Sequence, residues 1–150
     1  DHISYREGNY SNTAKQLGID NKPKAEHIKN MEILAEKVFE PLREWVGGPI
    51  KVNSFFRSKE LNSRIGGALS SSHLSGQAID ITSMGNKTNL EMFHYIRKNL
   101  DFDQLISEFP NVEDNPRWLH ISFNNNDFEE INIYLILFAF HFKIYKDANT

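Results

Sequence analysis

Two short segments constrain this chain more than anything else in it. Ala78-Ile79-Asp80-Ile81-Thr82 and Trp118-Leu119-His120-Ile121-Ser122-Phe123 alternate apolar and polar side chains almost residue by residue, and successive side chains of a β-strand point to opposite faces. Ile79 and Ile81 then share one face while Asp80 takes the other. In the second segment Leu119, Ile121 and Phe123 form the core side, and Trp118, His120 and Ser122 share the opposite side. Such strands need a sheet with one face packed on a core and a polar face free to carry chemistry. Ile50 to Phe56 and Gln104 to Glu108 read as two further short strands.

Helical periodicity supplies the layer that covers the apolar face. Between residues 24 and 46, Ile28, Met31, Leu34, Ala35, Val38, Leu42 and Trp45 recur at steps of three and four, and Gly47 and Gly48 end the pattern. Pro41 lies inside it and removes an amide donor, so a kink or restart is expected there. Thr88 with Glu91 forms a capping box opening a second helix, with Leu90, Phe93, Ile96, the stem of Arg97 and Leu100 on its apolar face. Helices mixed with short strands, without regular βαβ alternation, predict an α+β domain with a small, mostly antiparallel sheet packed with helices. No repeat, linker or low-complexity block divides the 150 residues, so a single domain over 1–150 is expected.

Composition narrows the function classes. Acidic residues outnumber basic ones 20 to 17, which leaves no basic excess for a phosphate backbone, so no nucleic-acid partner is expected. With no cysteine, any metal must be held by His, Asp or Glu. The first residues lack the charged start and apolar run of a signal peptide and contain no initial methionine, so removal of an upstream segment is expected.

The chemistry concentrates in Ser71-Ser72-His73-Leu74-Ser75-Gly76-Gln77-Ala78-Ile79-Asp80 and the later Trp118-Leu119-His120-Ile121-Ser122. Two neutral imidazoles and one carboxylate give Zn²⁺ three ligands and leave a fourth tetrahedral position for water, as in catalytic rather than structural sites. Gly76 would let the turn bring His73 back over the polar face of the strand carrying Asp80. His2, His27, His94 and His141 belong to no ligand pattern and read as surface or hydrogen-bonded residues.

The spacing Ser71-x-His73-x-x-Gly76-x-Ala78-x-Asp80, followed by Trp118-x-His120-x-Ser122, resembles the zinc D-Ala-D-Ala carboxypeptidase family, particularly its small bacterial and phage endolysin-like domains. Ser54-Phe55-Phe56-Arg57-Ser58, Leu61-Asn62, Ile3-Ser4-Tyr5, Gly18-Ile19-Asp20-Asn21 and Pro41-Leu42-Arg43 extend the likeness, which covers about residues 3–123. It implies a Hedgehog/DD-peptidase-like fold, zinc held by His73, Asp80 and His120, and hydrolysis of peptidoglycan stem peptides. Carboxypeptidase, cross-bridge endopeptidase and L-Ala-D-Glu endopeptidase activities all occur on similar scaffolds. A wall-directed location, periplasmic, extracellular or phage-associated, follows from the same likeness.

Many such relatives carry an acidic residue three positions before the last histidine, but Arg117 stands there, and a guanidinium cannot act as a base. Glu108 is the preferred general base, with Asp114 and Glu113 as alternatives on a nearby loop. Arg57 and Ser71 are the expected substrate-binding residues, with Ser72 a weaker choice. The position of Arg117 also motivates a competing reading, a non-catalytic zinc-containing module that binds wall peptide or protein. The apolar run Ile131 to Phe142, within an extension over 127–150, lies outside the likeness. Twelve residues are too short for a transmembrane helix, so it reads as a strand or helix packed on the domain, with homo-oligomer contact or weak membrane association next.

Overall fold

A computed structural model of the chain describes residues 2–124, 132–136 and 143–145. The elements run α1 (Tyr5–Asn9), α2 (Asn12–Leu17), α3 (Ala25–Leu34), a π-helical turn (Ala35–Phe39), α4 (Glu40–Val46), β1 (Ile50–Ser54), α5 (Lys59–Arg64), a 3₁₀ turn (Ser72–Ser75), β2 (Ala78–Ser83), α6 (Asn89–Asn99), β3 (Gln104–Glu108), β4 (Trp118–Ser122), β5 (Asn132–Ile136) and β6 (Lys143–Tyr145). The sheet order is β1-β2-β4-β3-β5-β6. Its first three pairings are antiparallel, β5 runs parallel to β3, and β6 returns antiparallel to β5. Helices against a mostly antiparallel sheet make this the small α+β fold that alternation and periodicity predict.

Ile79, Ile81, Leu105, Leu119 and Ile121 carry the apolar face of the sheet into one core with Leu34, Val38, Phe39, Leu42 and Val46 of the long helical segment and Met92, Phe93 and Ile96 of α6. Full burial of each such side chain contributes about 1.5–3 kcal/mol relative to exposure. Register is fixed by this packing, because a slip of one residue would move every one of these aliphatics to the polar face.

Three details refine the expectation for visible reasons. The α-helix restarts at Pro41, which lies in the first turn of α4. The restart runs through a widened turn, in which the Glu40 amide bonds the carbonyl of Ala35. The strand expected over Ile50 to Phe56 ends at Ser54, after a register shift between Val52 and Ser54, because Phe55 and Phe56 leave the sheet edge and bury in the core. In α6 the buried face also includes Met92 and Asn89, while Leu90 and Leu100 are only half-buried. The capping box at Thr88 and Glu91 is present, and Leu100 caps the helix end. Within the apolar run from Ile131, β5 is the described part, and residue 131 and residues 137–142 lie outside the described residues. No described helix is long and apolar enough to cross a membrane.

Candidate metal centre and its cleft

Strand pairing brings the first two functional side chains together. Asp80 of β2 lies directly opposite His120 of β4, so both side chains emerge side by side on the polar face. His73 reaches them from the 3₁₀ turn, which Gly76 closes in the left-handed conformation at φ 75°. A Cβ on Gly76 would stand 2.6 Å from the carbonyl oxygen of His27 and 2.9 Å from Met31 Cγ. Glycine is therefore required twice, for its φ and for the close approach of the turn to α3. Asn30 Nδ2 donates to the Ser75 carbonyl and the Arg57 amide to the His73 carbonyl, which hold the turn from both sides.

The three groups converge tightly. His73 Nε2 lies 3.2 Å from Asp80 Oδ1 and 3.2 Å from His120 Nδ1, and His120 Nδ1 lies 2.8 Å from Asp80 Oδ1. A tetrahedral zinc with bonds near 2.0–2.1 Å would hold such atoms about 3.3 Å apart, so the triangle has the dimensions of one face of that tetrahedron. The proton arrangement points the same way. His73 Nδ1 is 2.6 Å from the carbonyl oxygen of Phe55, which can only accept, so Nδ1 carries the hydrogen. Burial pushes the His73 imidazole below its ordinary pKa and keeps it neutral, which leaves a lone pair on Nε2. That lone pair faces a carboxylate oxygen and the ring nitrogen of His120. Three converging ligand atoms fit a divalent cation, which would replace the hydrogen that His120 Nδ1 shares with Asp80, and the backbone bond to Phe55 is the kind of outer support that orients a ligand histidine.

Asp80 is held from its other side by Arg57, whose Nη2 lies 2.5 Å from Oδ2 while its Nε donates to Ser54 Oγ at 2.8 Å. Burial alone would raise the Asp80 carboxyl, but the hydrogen bond from His120 opposes it and the group is held below the usual carboxylate range. Oδ1 is thereby left to the centre. The guanidinium of Arg57, expected to meet substrate, thus has an anionic partner inside the protein.

A cleft of about 670 Å³ opens over these groups, with Arg57, Ser71, His73, Asp80, Glu108 and His120 in its wall. Register explains the place of Glu108: Ile106 of β3 is opposite His120 and Glu108 is opposite Trp118, so Glu108 shares the polar face two residues along. Burial pushes its carboxyl above the ordinary pKa, with a smaller upward push from Asp80 opposed by His120. Ser71 precedes the turn carrying His73 and lines the same wall. Glu113 and Asp114 are exposed, sit in the turn closed by Asn111, and do not line the cleft. Trp118 is half-buried in the wall with its ring 4.8 Å from that of Phe109. Ser122 is buried and outside the wall.

Several contributors escape residue-pattern reading. The Phe55 carbonyl is main chain and has no signature of its own. Asn21 is buried, donates through Nδ2 to the carbonyls of Asn9 and Phe56, and accepts from the Ser58 amide, so it clamps the segment that carries Arg57. Asn89 does the same for the entry to β4, donating to the carbonyls of Pro116 and Arg117. An asparagine at a helix start or in a turn gives no hint that it reaches across the fold. Among the other histidines, His2 pairs with Glu40 and His27 stacks on Phe56.

A family model described as Peptidase M15 matches residues 1–122, four-fifths of the chain. The chain belongs to the Peptidase M15 family. A comparison with curated proteins finds no match. M15 proteins are metallopeptidases, and the matched span contains His73, Asp80, His120, Glu108, Arg57 and Ser71. It ends at the last residue of β4, so β5 and β6 stand beyond the part that defines the family.

Proposed function

We propose that this M15 protein is a zinc peptidase that hydrolyses a peptide bond in peptidoglycan stem peptides. The observation that carries the proposal is the convergence of His73 Nε2, Asp80 Oδ1 and His120 Nδ1 in the cleft that also contains Glu108. Zinc bound by those three residues would polarise the scissile carbonyl and lower the pKa of water from 15.7 to about 7.

The side chains divide the remaining work. Phe55 holds the His73 ring by its Nδ1–H, so Nε2 stays a ligand atom. Arg57 occupies Oδ2 of Asp80 and prevents the carboxylate from turning. Glu108 is the general base: its carboxylate takes a proton from the attacking water and returns it to the departing amine. The raised pKa suits the first step, because a carboxylate with a higher pKa is a stronger base toward water, and it keeps the protonated form populated closer to neutral pH for the return of the proton to the amine. Ser71, which lines the same cleft, donates to the carbonyl of the bound peptide.

Digestion of purified peptidoglycan by the zinc-loaded protein, with the products read by mass spectrometry, tests the reading. Peptide fragments released with zinc and suppressed by a chelator are expected. Tight binding without products would replace it by a non-catalytic wall-binding module, the reading that Arg117 favours.

A further inference from the structure

The cleft over Glu108 is only half of the concavity on this face. A second cleft of about 650 Å³ shares Arg57, Ile65, Asp80 and Trp118 with it and extends toward Tyr10, Lys51, Thr82 and Arg117. The shared residues make the two one groove. It crosses the sheet from β1, which carries Lys51, over β2 and β4 to β3, which carries Glu108. Three strand spacings are about 14 Å, room for roughly four residues of extended peptide. Each half has the volume of a pocket for a drug-sized ligand, and the three candidate ligands lie between the two ends.

The ends differ in charge. On the β3 side, outside the candidate ligands and the Arg57–Asp80 pair, the wall mixes polar Ser70, Ser72 and Gln104 with apolar Ile106 and Phe109, and Glu108 is its one charged group among the described residues. On the β1 side stand Lys51 and Arg117, both exposed, and neither forms an ion pair among the described residues. Arg117 is fixed through its backbone, with its amide on the Glu108 carbonyl and its own carbonyl accepting from Asn89, so its side chain is free to face a ligand. Two unpaired cations beside a groove favour an anion there.

Resting on the peptidase reading above, we infer that the substrate is an acidic peptide that lies along the whole groove and is cut at an internal bond, with a carboxylate-bearing residue on the Lys51 and Arg117 side. A peptidase confined to removing a terminal residue needs only one long side to its groove. This one extends past the centre in both directions.

The test uses stem-type peptides blocked at both ends, with a free carboxylate on either side of the central bond, and the same peptides with that carboxylate amidated. Zinc-loaded wild type should cut the blocked acidic peptides internally. Amidation should raise KM about tenfold, the loss expected of one or two exposed ion pairs, with kcat little changed. In K51Q/R117Q the difference between acidic and amidated peptides should disappear while internal cleavage continues. Blocked peptides left intact while their unblocked counterparts lose C-terminal residues one at a time would overturn the inference and leave the peptidase reading standing. If the zinc-loaded protein cuts nothing, the peptidase reading falls, and fluorescence polarisation with the labelled peptides decides the inference separately. Carboxylate-dependent binding that K51Q/R117Q loses would support it; equal binding of both peptides by both proteins would overturn it.

Discussion

Asp80→Asn separates the two duties assigned to one carboxylate. The Asp80 side chain is 10% exposed, its Oδ2 is paired with Arg57 at 2.5 Å, and its Oδ1 faces His120 and His73. The amide keeps the shape and removes the charge, which leaves the Arg57 guanidinium, 16% exposed, without its counter-ion. Breaking a buried pair in this way costs about 3–5 kcal/mol, and the residual exposure of Arg57 puts the value near the low end, about 3 kcal/mol. In a domain of this size each kcal/mol moves Tm by about 2–4 °C, so the metal-free variant should melt about 6–12 °C lower. Zinc at a hundred times its Kd adds about 2.7 kcal/mol to the wild type and nothing to a protein whose ligand set is broken. The gap should therefore widen to about 6 kcal/mol when zinc is present. Urea unfolding of both proteins, in EDTA and in excess zinc, gives all four values. An equal rise on adding zinc would remove Asp80 from the centre, and a metal-free gap below about 0.5 kcal/mol would refute the account of the ion pair.

Other consequences can be measured independently. Glu108→Gln should retain zinc by elemental analysis and lose about 10²–10⁴ in kcat, the usual worth of a general base; full activity would eliminate Glu108. Because burial raises the Glu108 pKa, the acid limb of the kcat/KM profile should lie above the ordinary carboxylate range, with activity falling as pH drops through it. His73 is held neutral in the fold, so on acidification the unfolded chain takes up its proton first. Metal-free stability should then fall below about pH 6.5, by up to about 1.4 kcal/mol per unit, and the fall should be shallower in His73→Gln; identical slopes would contradict the burial argument. Gly76→Ala forces both a left-handed alanine and the overlap with His27 and Met31, whereas Gly18→Ala meets nothing within 4 Å at a similar φ of 65°. Chemical denaturation should show about 1 kcal/mol lost at Gly18 and clearly more at Gly76, with weakened zinc binding only in the latter.

What could be read from residues alone follows the range of the interactions that decide each feature. Alternation in Ala78 to Thr82 and in Trp118 to Phe123 is local, and it was sufficient to place Asp80 and His120 on polar faces, because Ile79, Ile81, Leu119 and Ile121 can be buried in only one register. The helix from Thr88 was equally legible through its capping box. The helices α1, α2 and α5 span only five or six residues each, too few for periodicity, and rest on serine caps at Ser4, Ser11 and Ser58. The π-helical turn before Pro41 depends on how the proline ring is accommodated within a packed helix, which a rule about proline does not resolve.

Glu108 shows where local reading stops and pairing takes over. Its strand was bounded correctly from residues alone, and period two assigns Gln104, Ile106 and Glu108 to one side, yet neither fact says which neighbour that side will meet. The antiparallel match of Ile106 with His120 supplies the answer, since it carries Glu108 onto the face of the candidate ligands. Arg117 illustrates the converse. It lies three residues before His120, at the opposite parity and just ahead of β4, and its side chain lines the Lys51 end of the groove rather than the wall beside Glu108. Glu108 and Arg117 are thus assigned to opposite ends of one groove by sheet register. A substitution that shifted the β3–β4 pairing by one residue would remove Glu108 from the cleft while leaving Asp80 opposite His120.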